Sequence, residues 1–151
     1  MTSALCAVSA TGTNNSLGQS MIARKAECSC GQLALVASGE PVRISVCHCL
    51  ACQRRTGSVF GVQARFPAER VVVEGKSCEY VRTADSGNSI RFHFCPRCGA
   101  TVYLQLDSEP ELIGVPVGAF ADPYFPAPPV SIYEEHQHSW VALPDNIEHL
   151  S

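Results

Sequence analysis

Residues 47–52 of this chain read CHCLAC, which places three cysteines within six residues. One pair of cysteines precedes this stretch in CSCG (28–31), and a second pair follows it in CPRCG (95–99). Seven of the nine cysteines therefore fall into three clusters. Thiolates two or three positions apart on a tight turn can point at one ion, so the spacing predicts metal sites.

The seven clustered sulfurs divide most simply into a site of four and a site of three. A closed structural zinc site takes four ligands, whereas a catalytic site keeps three protein ligands and leaves one position open. Joining the two pairs gives a predicted structural zinc site made of Cys28, Cys30, Cys95 and Cys98. The triplet is then predicted to hold a second zinc with one open position, through Cys47, Cys49 and Cys52.

Two other interpretations of these cysteines remain open. In the first they form disulfides and buried thiols, although a C-x-C disulfide would be strained. Residues 1–23 carry no charged side chain, whereas a secretory signal begins with a basic region, so we expect a cytoplasmic protein with reduced thiols. In the second interpretation both sites are purely structural, and His48 or Cys78 completes the triplet.

Length and composition fit one folded domain. The chain has 151 residues, of which 46% are hydrophobic and 17% charged, with a formal net charge of −3. This balance argues against disorder and against a basic face that binds nucleic acid. No apolar run approaches the ~20 residues of a membrane span, so we expect no membrane partner. We expect residues 1–23 to form a flexible leader and residues 24–151 a single zinc-binding β domain.

Short β-forming runs separated by turn residues predict an all-β fold, mainly β with short helices. In Ile90–Phe94, for example, apolar and polar side chains alternate with the period of a strand. The predicted strands are Gln32–Ser38, Val42–Val46, Val59–Phe66, Arg70–Glu74, Cys78–Thr83, Ile90–Phe94, Thr101–Leu106 and Leu112–Val117. Leu50–Thr56 is predicted to be a short helix that ends at Gly57. We expect a hairpin turn at Asp85–Asn88 and a proline-rich loop at Asp122–Pro129.

The residues that follow the triplet suggest how its site would be used. A zinc held by three thiolates is a weak Lewis acid that suits exchange of a soft fourth ligand, such as a substrate thiol held as thiolate. Arg54 and Arg55 stand just after Cys52 and Gln53, and a guanidinium pairs well with a carboxylate. We therefore predict that Arg54 and Arg55 bind the carboxylates of a small acidic thiol. The alternative is that both are solvated helix residues.

The segments CSCG (28–31), CHCLACQRRTG (47–57) and FCPRCG (94–99) together resemble those of the glutathione-dependent formaldehyde-activating enzyme family, which includes centromere protein V. The resemblance spans about residues 25–145. It implies an Mss-four-like zinc-containing β fold, and it places the family's structural and catalytic ligands on the same sets of four and three cysteines. It also implies the family's activity, a carbon–sulfur lyase reaction that condenses glutathione with formaldehyde to S-hydroxymethylglutathione.

Two positions depart from the pattern of that family. Members often have Thr or Ser where this chain has Ala100, and many have His-Ile where it has Ser131-Ile132. These changes keep the cysteines intact but leave the substrate pair open. We expect a lyase that acts on glutathione or a similar thiol with formaldehyde or a small aldehyde. The alternatives are a non-catalytic zinc scaffold that binds a protein partner, and a methionine sulfoxide reductase that uses Cys78.

Overall fold

Twelve strands and one α-helix make up most of the described structure. The structure is a computed structural model that describes residues 21–151 and, as backbone alone, Leu5–Val8. The strands are β1 (Leu5–Val8), β2 (Ala23–Glu27), β3 (Ala34–Ser38), β4 (Arg43–Cys47), β5 (Gly61–Pro67), β6 (Val71–Glu74), β7 (Lys76–Thr83), β8 (Ser89–Phe94), β9 (Thr101–Leu106), β10 (Glu109–Pro116), β11 (Val130–Ile132) and β12 (Glu148–Leu150). The helix is α1 (Leu50–Thr56), and short 3₁₀ helices span Ala68–Arg70, Val117–Phe120 and Glu134–His136. The prediction of an all-β fold is confirmed.

The strands form two sheets. Nine strands pair in the order β1-β7-β8-β9-β10-β5-β4-β11-β12, and three pair in the order β2-β3-β6. Most neighbours are antiparallel, as short connections require, but β11 lies parallel to both β4 and β12. The pairing of β11 with β4 sets Ile132 opposite Cys47, and the His48 N–H donates to the Ile132 carbonyl at 3.0 Å. The last third of the chain is thereby brought beside the cysteine triplet.

One buried cluster joins the two sheets. It takes Leu35 and Ala37 from the small sheet and Phe66 from the large sheet, and each of these side chains is at most 1% exposed. Burying a large apolar side chain contributes roughly 1.5–3 kcal/mol to stability. Cys28 and Cys95 belong to the same cluster. The core therefore holds the first cysteine of each pair in place, independently of any metal.

The passage from the small sheet to the large one requires a glycine. Gly75 stands between β6 and β7 with φ of +96°, and a Cβ there would lie 1.8 Å from the Gln32 carbonyl oxygen. The Gln32 side chain is bound to the next residue, because its Nε2 donates to the Lys76 carbonyl at 2.6 Å and its Oε1 accepts from the Lys76 N–H at 3.1 Å. Any side chain at position 75 would force these segments apart.

The observed elements agree closely with the predicted ones. All eight predicted strands are present, although β10 begins at Glu109 rather than at Leu112. Helix α1 has its predicted bounds and ends at Gly57, which has a left-handed φ of +70°. Residues 84–88 turn between β7 and β8, and residues 122–129 contain no helix or strand, as predicted.

Four short strands, β1, β2, β11 and β12, are not apparent in the sequence. Strand β12 is exposed along its whole length, and β2 buries only Ala26, so neither shows the strong alternation that marks a half-buried strand. The predicted leader, residues 1–23, lies largely outside the described residues. Its described part contributes β1, which pairs with β7, and the predictions of a flexible leader and of the domain bounds stay predictions.

No helix in residues 21–151 combines the length and the apolar character that crossing a bilayer demands.

Candidate metal centres

The four cysteines of the first site lie on two similar turns. Each turn places a glycine directly after its second cysteine, and both Gly31 and Gly99 have φ of +77°. The Gly31 N–H donates to the Cys28 carbonyl at 3.0 Å, and the Gly99 N–H donates to the Cys95 carbonyl at 2.8 Å. Only glycine adopts this conformation without strain, which explains the glycine that ends both the C-x-C-G and the C-x-x-C-G pattern.

The sulfur positions of this site fit a tetrahedral thiolate-bound metal. The Sγ atom of Cys30 lies 3.6 Å from that of Cys28 and 3.7 Å from that of Cys95, and all four sulfurs, including that of Cys98, lie within 4.8 Å of one another. Zinc–sulfur bonds of about 2.3 Å in a tetrahedron would set sulfurs about 3.8 Å apart. The four cysteines could therefore hold one zinc ion, and the predicted grouping of the two pairs is what the structure shows.

Hydrogen-bond donors surround the sulfurs of this site. The Leu33 N–H lies 3.3 Å from Cys28 Sγ, the Arg97 N–H lies 3.3 Å from Cys95 Sγ, and Gln32 Nε2 lies 3.1 Å from the same sulfur. Donors of this kind stabilise thiolates, the form that binds metal. Gln32, which also fixes the strand crossing at Gly75, was not singled out in the sequence.

The triplet lies where strand β4 gives way to helix α1. Cys47 is the last residue of β4, Cys49 caps α1 by accepting the Cys52 N–H at 3.3 Å, and Cys52 stands in the first turn of the helix. This sharp change of direction brings the three sulfurs within 4.8 Å of one another. Among the described residues, no fourth histidine, cysteine or carboxylate donor joins the group, so neither His48 nor Cys78 completes it.

The environment of the triplet favours a thiolate at Cys52. A hydrogen bond with the Cys47 thiol lowers the pKa of Cys52 to about 6 against the opposing effect of burial, and the nearby Arg55 charge adds to the lowering. The same bond, together with burial, raises the pKa of Cys47. Cys52 is partly exposed, whereas Cys47 is buried.

The two predicted substrate-binding arginines lie in different surroundings. Arg54 is exposed on α1. The Arg55 guanidinium carbon lies 5.4 Å from the centre of the Phe92 ring, and its Nε and Nη2 atoms are buried with no hydrogen-bond partner in the described residues. A Cβ on Gly61 would lie 3.0 Å from Arg55 Nη2, so the guanidinium fills the space that this glycine leaves. Arg55 is therefore packed beside the triplet and Arg54 faces solvent.

Gln53 connects the triplet to the last part of the chain. Its Nε2 donates to the His48 carbonyl at 2.8 Å and to the His136 carbonyl at 3.1 Å, and its Oε1 lies 3.2 Å from His138 Nε2. The His138 ring meets that of Trp140 edge-on, with centroids 6.0 Å apart. From the sequence alone, His138 is expected on a solvated surface. Its hydrogen bond to Gln53 joins residues 85 positions apart, so no local sequence pattern indicates it.

Comparison with known proteins gives a family but no named relative. The model of the glutathione-dependent formaldehyde-activating enzyme family matches residues 23–136, which include both cysteine groups. A Rhodobacter sphaeroides protein of known crystal structure is 23% identical, with a TM-score of 0.45, over 63% of this chain and 85% of its own. None of the curated proteins matches the chain. Since the family model spans most of the chain and both cysteine groups, the chain belongs to the glutathione-dependent formaldehyde-activating enzyme family.

Proposed function

We propose that this protein is a zinc-dependent carbon–sulfur lyase that condenses glutathione, or a similar thiol, with formaldehyde or a small aldehyde. Membership of the family supports the substrate class. The observation that carries the proposal is the unequal division of the sulfurs, four in one group and three in the other. A three-thiolate group leaves one position of a tetrahedral metal for a substrate.

The two cysteine sites would have different roles. The four-cysteine site joins the turn after β2 to the turn after β8 and would hold a structural zinc, so that the protein carries two zinc ions per chain. The triplet would hold the second zinc, whose chemistry is to keep a bound thiol deprotonated near neutral pH. The seven clustered cysteines are free thiols, which a reducing compartment preserves, and we therefore place the activity in the cytoplasm.

Side chains around the triplet would bind and orient the thiol. Arg55, packed against Phe92 beside Cys52, supplies positive charge next to a cluster of negative sulfurs. Arg54 projects into solvent from the same helix and can pair with a carboxylate of glutathione. In the reaction a sulfur–carbon bond forms as the carbonyl π bond breaks, and the proton of the thiol ends on the carbonyl oxygen.

Turnover of the zinc-loaded protein tests this function. Glutathione and formaldehyde also combine without a catalyst, so the rate is read from NMR magnetisation exchange between free glutathione and S-hydroxymethylglutathione at equilibrium. The proposal expects the protein to accelerate exchange, and Cys52→Ser, with the four-cysteine site intact, to abolish the acceleration. The proposal would be contradicted if the protein, tested with several different aldehydes, gave exchange no faster than in buffer.

A non-catalytic scaffold that binds a protein partner is the second candidate function. Large aromatic side chains are exposed in the last third of the chain, with Tyr124 91% and Trp140 71% exposed, and such residues are enriched at interfaces. Unlike the lyase, such a scaffold would need no open metal position at the triplet for a thiol to occupy. The methionine sulfoxide reductase alternative needs Cys78 as an accessible nucleophile, but Cys78 lies in β7 and is only 6% exposed.

A further inference from the structure

The side-chain amide of Gln53 can be oriented in only one way. Its nitrogen lies within hydrogen-bond distance of two backbone carbonyl oxygens, those of His48 and His136, and carbonyls only accept hydrogen bonds. Reversing the amide would place an oxygen against two oxygens. Both N–H groups of Gln53 are therefore used, and Oε1 is the atom that faces His138.

This orientation fixes the tautomer of the His138 ring. Because Gln53 Oε1 accepts only, the ring atom that it meets, His138 Nε2, must carry the hydrogen. A neutral imidazole has one N–H, so Nδ1 is left with its lone pair. The tautomer of the neutral ring follows from the hydrogen-bond network, in the same way that a partner on one ring nitrogen sets the role of the other in many active sites.

The His138 ring is connected through Gln53 to the segment that carries the triplet, and its position is fixed. Only the Gln53 amide separates it from the carbonyl of His48, the residue between two of the cysteines. The turn that carries it is closed by a hydrogen bond from the Val141 N–H to the His138 carbonyl at 3.0 Å and by one from Gln137 Nε2 to the Val141 carbonyl at 2.8 Å. His138 is exposed, so a small substrate can reach the ring.

We propose that His138 is the acid–base residue of the thiol addition and that Gln53 is the positioning residue that keeps its Nδ1 free. This inference rests on the proposed function. Nδ1 takes the proton of the incoming thiol, the sulfur–carbon bond forms as the carbonyl π bond breaks, and the imidazolium returns the proton to the oxygen. No proton or electron is gained or lost overall. The ring returns to its starting tautomer, as a catalyst must.

The tautomer is tested without reference to activity. Long-range ¹⁵N–¹H NMR of the zinc-loaded protein at pH 8, where the spectrum itself shows whether the ring is neutral, distinguishes a protonated Nε2 from a protonated Nδ1. We expect His138 to be the Nε2–H form in the wild type and a mixture of both forms in Gln53→Ala. A wild-type spectrum with the proton on Nδ1 would overturn the assignment whether or not the protein is an enzyme.

The catalytic role is tested by separating turnover from binding. His138→Ala is expected to lower the exchange rate at saturating substrate by about 100-fold or more, which is the range of general acid–base catalysis. Its zinc content should be unchanged, and its glutathione affinity should stay within about twofold, which is ~0.4 kcal/mol in binding. Imidazole added to His138→Ala should restore part of the rate. His149→Ala is the matched control, since His149 is exposed and bonds to Glu134 at 2.7 Å instead.

The outcomes separate the two proposals. An active wild type together with an equally active His138→Ala overturns the catalytic role of His138 and leaves the lyase in place. An inactive wild type overturns the lyase and, with it, the catalytic role, whereas the NMR measurement still decides whether Gln53 sets the tautomer. Activity that is lost in His138→Ala and partly restored by imidazole supports both proposals.

Discussion

Arg54 and Arg55 are neighbours in sequence, but Arg54 is exposed and Arg55 is partly buried. We therefore expect them to have different roles. Arg54 is exposed, so we expect its removal to take away the proposed contact to substrate and no packing contact. A charge-assisted hydrogen bond contributes about 1–3 kcal/mol, so Arg54→Ala should weaken glutathione binding by roughly 5- to 150-fold. Zinc content should be unchanged, because Arg54 is no ligand. Calorimetry with glutathione measures the effect, and unchanged affinity would remove Arg54 from the thiol site.

Arg55 should act on the metal rather than on the substrate alone. Its guanidinium is packed between Phe92 and Gly61 beside Cys52 and offsets negative charge there. Losing a group that supports metal ligands typically costs about 10- to 100-fold in metal affinity, and we expect that loss in Arg55→Met. Arg55→Lys, which keeps the charge, should lose less. Competition with a chelator gives both values, and equal affinities for Arg55→Met and wild type would contradict the role.

At the scale of an element, the glycine at the crossing from β6 to β7 has a matched control in the turn between β7 and β8. Gly75 and Gly87 have φ of +96° and +84°, but a Cβ at Gly75 meets the Gln32 carbonyl oxygen at 1.8 Å, whereas one at Gly87 has no heavy atom within 4 Å. Gly87→Ala should therefore cost only the left-handed backbone, about 1–2 kcal/mol. Gly75→Ala adds a clash with backbone and should cost well over that, about 4 kcal/mol or more.

Denaturant unfolding of the two zinc-loaded variants separates these contributions, because both substitutions carry the same backbone strain. Since Gln32 also donates to Cys95 Sγ, Gly75→Ala should weaken the four-cysteine site as well. Equal destabilisation of Gly75→Ala and Gly87→Ala would mean that the close packing at the crossing is not needed for the fold.

At the scale of the whole molecule, we expect folding to depend on the four-cysteine site more than on the triplet. Cys28 and Cys98 stand 70 positions apart, so a shared metal closes a long loop and couples metal binding to folding. The triplet spans six residues at one strand–helix junction. We expect Cys98→Ser to unfold or to become insoluble and Cys52→Ser to remain folded. Thermal melts compare them, and equal damage would show that the triplet is structural too.

Local spacing was enough to predict the metal-site candidates, and contacts between distant segments account for what it missed. Each cysteine cluster lies within one turn and is visible in neighbouring residues, whereas the joining of the two pairs was inferred from the four ligands of a structural zinc site. The difference between Arg54 and Arg55 depends on Phe92, which lies on another strand. The bond between Gln53 and His138 requires β11 to pair with β4, and the three-residue β11 carries no strand pattern of its own.

The central claim is that the triplet holds a metal with one position open to a thiol, and a thiol titration tests it most directly. Protein shown to contain two zinc ions per chain is titrated in a calorimeter with glutathione and, separately, with S-methylglutathione, which has the same carboxylates but no thiol. The account predicts one glutathione bound per chain and at least about tenfold weaker binding of the methylated form. Equal binding of the two, or no heat from glutathione at millimolar concentration, would contradict it.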